Sequence, residues 1–162
     1  MKSEVKVRPA VESEVGLVLD FIRELAEFER RAHEVLASEE ALRAALFGAR
    51  PYAEVVLATV EGEPVGFALY FHTFSTFLAR PGLYLEDLYV RPAARGHGVG
   101  SYLLSYLARI ALERGCGRLD WAVLDWNEAA LGFYRKLGAE VKAEWKICRL
   151  AGTALTRVAA RG

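Results

Sequence analysis

Arg95-Gly-His-Gly-Val-Gly-Ser101 decides how the rest of this chain is read. Upstream, residues 83–90 form an apolar strand that carries two acids, Glu86 and Asp87. Downstream, residues 101–114 place Leu103, Tyr106, Leu107 and Ile110 at helical spacing, in line with Val99. A strand that runs into closely spaced glycines and then into a helix start presents unpaired backbone N–H groups at the positive end of the helix dipole. The stretch therefore predicts a pyrophosphate seat, with Arg95 as an added cation. A dinucleotide-binding turn is the competing reading, since Asp120 lies at roughly the 20-residue distance such folds use. It fails because Ser101 replaces the third glycine and Arg91-Pro92 interrupts a tight strand-to-helix junction.

On the N-terminal side, Val5 and Val7 before Pro9 predict a short first strand, and Leu17, Phe21, Leu25 and Phe28 a helix. Ser38, followed by Glu39 and Glu40, predicts a capped second helix through Phe47. Residues 54–60 and 65–72 around the turn at 61–64 read as a hairpin, and 73–82 as a loop. On the C-terminal side, Gly115 and Gly117 end the helix and residues 118–124 read as a fifth strand. Asn127 caps a helix with Leu131, Tyr134 and Leu137 on one side, closed by Gly138. Residues 145–150 read as a late strand, 140–142 as a short extra one, and 152–160 as a terminal helix. The predicted order is βααβββαβαβ, an α/β arrangement.

With 162 residues, 53% of them hydrophobic and 26% charged, the chain suits one globular domain over residues 1–162. Its 21 basic and 21 acidic residues cancel, so no overall field would draw nucleic acid or an anionic membrane. The first residues lack an apolar signal-type core, and no apolar run approaches the roughly 20 residues that span a bilayer, so the expectation is a cytoplasmic protein. Cys116 and Cys148 lack metal-ligand spacing and read as buried free thiols, with no metal implied.

Element order and motifs resemble the GNAT superfamily of acyl-CoA-dependent N-acyltransferases. Its CoA signature of Arg or Gln, two residues, Gly, any residue, then Gly or Ala is met by Arg95, Gly98 and Gly100. The passages Glu24-Leu-Ala-Glu-Phe-Glu29, Phe74-Ser-Thr-Phe77, Leu83-Tyr-Leu-Glu-Asp-Leu-Tyr-Val90, Val123-Leu-Asp-Trp-Asn127 and Phe133-Tyr-Arg-Lys-Leu-Gly-Ala139 resemble the diamine (spermidine/spermine) acetyltransferases, and more closely their thialysine Nε-acetyltransferase relatives. The resemblance implies a central mixed, twisted sheet of about six to seven strands flanked by about four helices, splayed between the fourth and fifth strands. It also implies acetyl-CoA as co-substrate and a homodimer that shares its late strands. Leu88, Tyr89 and Val90 would meet the pantetheine arm through their backbone. Arg95, Gly96, His97, Gly98, Val99, Gly100 and Ser101 would take the pyrophosphate, and Asn127, Ala130 and Tyr134 would add cofactor contacts. Phe28, Glu29, Glu86, Asp120, Trp121 and Glu144 would line the amine pocket. The chain departs from the polyamine enzymes at Ser75 and Phe77, where they carry an acid and a tryptophan, and is shorter between Ala139 and Trp145. A lysine-like amino acid or a short diamine is accordingly favoured over spermidine.

The chemistry asks for two proton carriers. An amine of pKa about 10.4 arrives as a cation and must lose a proton, while the departing thiolate, of parent pKa about 8.5, must gain one. Strict alternation places Glu86 in one row with Tyr84, Leu88 and Val90, where burial would raise its pKa and suit it as the base. Asp87 then falls on the opposite face unless a bulge shifts the parity, and the resemblance allows one. A structural pairing of either acid with an arginine is the plain alternative. Tyr134, a phenol of pKa about 10, is the expected general acid, although its stripe with Leu131 and Leu137 also reads as amphipathic core. Asn127 equally reads as a bare helix cap. Neither cysteine has a visible activating partner, so direct attack in a ternary complex is expected. Two other readings are a peptide lysine or N-terminal acetyltransferase, which needs an open groove, and a non-catalytic acyl-CoA-binding module, which would tolerate losing Tyr134 and Glu86.

Overall fold

The run Val-Val-Leu-Ala-Thr inside Glu54–Val60 is buried at every position because this strand lies inside a sheet whose two faces are both covered by helices. The computed structural model describes residues 3–162, which divide into two compact units, one ending at Ala122 and the other Val123–Gly162. In the first unit the elements run β1 (Val5–Pro9), α1 (Val15–Phe28), α2 (Glu39–Phe47), β2 (Glu54–Val60), β3 (Glu63–Ser75), β4 (Arg80–Val90), α3 (Val99–Glu113) and β5 (Leu119–Trp121). The five strands form one sheet in chain order, antiparallel up to β4 and parallel between β4 and β5.

Alternation along the strands separates two apolar layers. Val55, Leu57, Phe67 and Tyr89 meet Val18 and Phe21 of α1 and Leu46 of α2. The Phe21 and Phe67 rings stack at 5.5 Å, and each fully buried ring stabilises the fold by about 2–3 kcal/mol. The alternate residues Val56, Ala58, Ala68, Leu83 and Leu85 are also buried, as are Val99, Leu103, Leu104, Leu107 and Ala111 of α3, the helix on the other face.

Caps fall where composition placed them. Ser38 accepts from the Ala41 N–H at 3.1 Å. In the second unit Asn127 Oδ1 accepts from the Ala130 N–H at 3.2 Å to start α4 (Glu128–Lys136). Gly138, at φ 92°, ends α4 with paired bonds from its own N–H to Arg135 O and from Ala139 N–H to Tyr134 O. The terminal helix α5 spans Gly152–Ala159.

Several expectations are corrected. Among the described residues the sheet has five strands where about six to seven were expected, and five α-helices are present where about four were expected. Residues 145–150 and 140–142 form no strand, because a strand needs a hydrogen-bonding neighbour and none pairs with them among the described residues. The loop expected at 73–82 is mostly hairpin: Thr73 pairs with Gly82 and Ser75 with Arg80, leaving only residues 76–79 as the turn. β5 pairs only through Leu83, Tyr84 and Leu85, shorter than the expected 118–124. Cys116 is buried as expected, but Cys148 is exposed. Among the described residues no helix is long and apolar enough to cross a membrane.

Candidate active site

β5 stops pairing at Leu85, so among the described residues no strand pairs with the remainder of β4, through Val90, on that side. This unpaired edge lies where the fourth and fifth strands were expected to splay apart. The Arg91 N–H goes to Val65 O at 2.8 Å, so strand alternation turns the backbone of Tyr89 toward β3 and that of Leu88 and Val90 toward the open side. An extended ligand arm laid there would meet the N–H groups of Leu88 and Val90 as a strand would.

The glycine turn follows directly. Gly96 and Gly98 have φ of 83° and 79°, and a Cβ on Gly96 would meet nothing within 4 Å. Gly98 is the N-cap of the 15-residue helix α3 and supplies no side-chain cap. The first intrahelical bond runs from Tyr102 N–H to Gly98 O, so the N–H groups of Val99, Gly100 and Ser101 find no partner within the helix. Gly96, His97 and Gly98 are exposed, while the Val99 side chain is buried as an anchor. A positive helix end with outward amides and an open approach fits the diphosphate of a coenzyme A thioester. An open groove of about 1090 Å³, lined by Glu63, Arg91, Gly96, His97 and Tyr102 among others, flanks this turn; the acidic residues described next do not line it.

The Arg95 side chain is not the free phosphate-facing cation that the sequence suggested. Its Nε donates to Val90 O at 2.9 Å, and its guanidinium lies 5.0 Å from the Phe28 ring centre and 5.6 Å from that of Tyr89. Arg95 thus folds its charge back over α1, and its backbone N–H goes to Pro92 O at 3.2 Å.

The acids are rearranged by one irregularity. Leu69 pairs with Asp87 but Tyr70 pairs with Leu85, so Glu86 is the extra residue of a β-bulge. The expected row of Tyr84, Glu86, Leu88 and Val90 is therefore broken, and the expectation that Glu86 is the buried carboxylate is overturned: Glu86 is exposed. Asp87 is the partly buried one, on the α1 face opposite Leu69. Burial, with help from the charges of Glu86 and Glu29, pushes the Asp87 carboxyl up to about 6. Burial also raises Glu29, at the C-terminal end of α1, against the pull of Arg31. Burial, then Glu86 and Asp120, raise the Tyr84 phenol, so these groups share one neighbourhood. Asp120 lies beside Tyr84 in register and pairs with Arg118 at 2.9 Å. Phe28 is 44% exposed and Trp121 is half-buried. The first unit thus brings together Glu29, Glu86, Asp87 and Asp120, four carboxylates where an ammonium group would be drawn. Asp87 was missed as the desolvated acid because a bulge leaves no mark in the alternation of apolar residues.

The second unit carries the remaining residues. Tyr134 is half-buried on α4, its ring 5.5 Å from that of Phe133, and Leu131 is buried on the same stripe. The Asn127 Oδ1 is taken up by the Ala130 N–H, which makes this side chain a helix cap. Glu144 is exposed and its carboxylate pairs with Lys142 at 3.4 Å.

Residues 19–139 match the model of the acetyltransferase (GNAT) family. The chain is 42% identical to a thialysine N-epsilon-acetyltransferase of Bos taurus, over 97% of this chain and 98% of that one. It is 30% identical to the L-ornithine N5-acetyltransferase NATA1 of Arabidopsis thaliana, over 94% and 87%. Among solved structures, an integron cassette protein from the mobile metagenome of V. cholerae superposes with a TM-score of 0.80 at 30% identity, covering 99% of both chains.

Proposed function

This chain belongs to the GNAT acetyltransferase family, and on that premise we propose that it acetylates the side-chain amine of a small lysine- or ornithine-like amino acid by direct attack. It is an acetyl-CoA-dependent N-acetyltransferase of small amines. The observation that carries the finer reading is the cluster of Glu29, Glu86, Asp87 and Asp120 at the splay, immediately before the phosphate turn. Four acids suit a compact cationic acceptor.

Acetyl-CoA supplies an activated acyl thioester held by the amides of residues 96–101. Glu29, Glu86 and Asp120 draw the ammonium group in, and Asp87 takes its proton, directly or through water. As the new C–N bond forms and the C–S bond breaks, the Tyr134 phenol gives its proton to the leaving sulfur, the second proton of the attacking nitrogen returns through water to the phenolate, and the proton on Asp87 passes to solvent. An N–H of Leu88 or Val90 polarises the acyl oxygen. The family match crosses the boundary between the two units, which supports treating residues 1–162 as one functional domain. Residues 145–150 carry strand-like alternation but form no strand, and Trp145 is 75% and Ile147 77% exposed, which supports a homodimer in which a second copy supplies a strand partner.

Free-CoA release with thialysine, ornithine, short diamines and lysine peptides tests the reading; turnover should be fastest with the free amino acids. Tyr134→Phe should lower kcat about a hundredfold while acetyl-CoA binding changes less than about threefold. Equal rates in the two proteins would remove the role assigned to this phenol.

A further inference from the structure

The C-terminal half of α1 presents Phe21, Glu24 and Phe28 at i, i+3 and i+7, one helical face. Two arginines from the connection between β4 and α3 cover that face. Arg91 lies 4.6 Å over the Phe21 ring and reaches both Glu24 oxygens, Nε to Oε1 and Nη2 to Oε2, each at 3.2 Å. The Tyr89 hydroxyl donates to the same Glu24 Oε1 at 3.4 Å. Arg95, within the glycine turn itself, lies over Phe28 and Tyr89 and holds Val90 O. Planar guanidinium groups suit this combination of stacking and forked hydrogen bonding, which lysine cannot reproduce.

The helix end so gripped is under backbone strain. Arg30 adopts φ 61°, a left-handed conformation that costs a non-glycine residue about 1–2 kcal/mol, and it closes α1 through bonds from Arg30 N–H to Glu27 O and Arg31 N–H to Ala26 O. Glu29 stands immediately before this reversal, beside Asp87.

We propose that Glu24, Arg91 and Arg95 are positioning residues for the acceptor amine, a clasp that fixes Phe28 and Glu29 at the acid cluster and joins them to the turn that holds the cofactor phosphates. The inference rests on the acceptor-pocket reading above. It adds that the side chain of Arg95 is directed to the amine end.

The test separates the two substrates. Glu24→Gln keeps the side-chain shape and weakens the grip on Arg91; with thialysine and ornithine as acceptors its amine KM should rise about five- to tenfold. The acetyl-CoA dissociation constant, measured by calorimetry, should stay within about twofold. Adding Arg91→Gln to Glu24→Gln should raise the amine KM little further, the non-additivity of a shared interaction. Arg91→Lys, which keeps the charge but neither the stacked plane nor the fork to Glu24, should show the same split and serves as the second variant if Glu24→Gln folds poorly. An unchanged amine KM in both variants, or a loss confined to acetyl-CoA affinity, overturns the clasp. Asp87→Asn measured alongside judges the pocket separately: wild-type turnover in that variant sinks the acid-cluster reading, while the clasp still stands or falls on the amine KM.

Discussion

Glu54 and Asp87 are both carboxylates on the same sheet, and they are treated in opposite ways. Arg114, just past the C-terminal end of α3, grips Glu54 with two hydrogen bonds of 2.6 and 2.9 Å and holds its carboxyl below the usual range. Asp87 lies on the opposite face of the sheet among Glu86 and Glu29, and among the described residues no cation pairs with it. The two regions show the same chemistry used to fasten and, in the proposed function, to accept a proton. A paired carboxylate is a clamp, whereas a desolvated carboxylate crowded by like charges is already inclined to accept a proton.

The sharpest way to break the contrast is Asp87→Asn. Loss of the proton acceptor should lower kcat with thialysine by about a hundredfold or more. The folded-state pKa of Asp87 is raised to about 6, so its ionisation opposes folding above that pH and the opposition disappears as the pH falls toward the unfolded value. The same variant should therefore be more stable at pH 7, by about 2 kcal/mol in denaturant melts, and a destabilised variant would contradict the contrast. The wild-type kcat/KM profile should lose activity below about 6, and Asp87→Asn should abolish that limb.

Glu29→Gln comes next. Removing one neighbouring negative charge should move the acid limb to lower pH, since Glu29 helps to raise Asp87, and should increase the amine KM about fivefold. A limb that stays in place would detach Glu29 from the cluster.

Glu54→Gln sharpens the other side. Because that pair is about two-fifths exposed, solvent screening limits the loss to about 1 kcal/mol, with turnover unchanged. Its pKa is depressed, so the contribution is present above the ordinary carboxylate range and fades as the pH falls through it. Wild type and variant should therefore converge in melting temperature under acid conditions. Smallest of all, Arg30→Gly should stabilise the protein by roughly 0.5–1 kcal/mol by relieving the left-handed residue, with no change in Glu54 or its partner.

The sequence made legible what depends on local rules. Ser38, Asn127 and Gly138 cap their helices as their residue types demand, and the spacing from Arg95 to Ser101 marked the glycine turn that opens α3 without any knowledge of the sheet. What escaped depends on partners. Strand parity at Glu86 and Asp87 is set by a bulge against Leu69 and Tyr70, and nothing in 83–90 alone reveals it. Residues 73–75 and 80–82 look like loop because Pro81 and Gly82 are poor strand formers; cross-strand pairing overrides that preference. Residues 145–150 err the other way, with strand-like alternation but no neighbour among the described residues to complete it. The direction of Arg95 was hidden because its stacking surface, Phe28, comes from a distant part of the chain.

The glycines of the turn are not equally constrained. Gly96 and Gly98 are held to glycine by the sign of their torsions, whereas Gly100 is an ordinary helical residue whose added methyl would rest 4.0 Å from Leu88. In a saturation library across residues 95–101, alanine should survive selection at 100, where it also improves helix propensity, and be purged at 98. One loop would then show two mutational spectra, one set by torsion and one by the space beside a leucine.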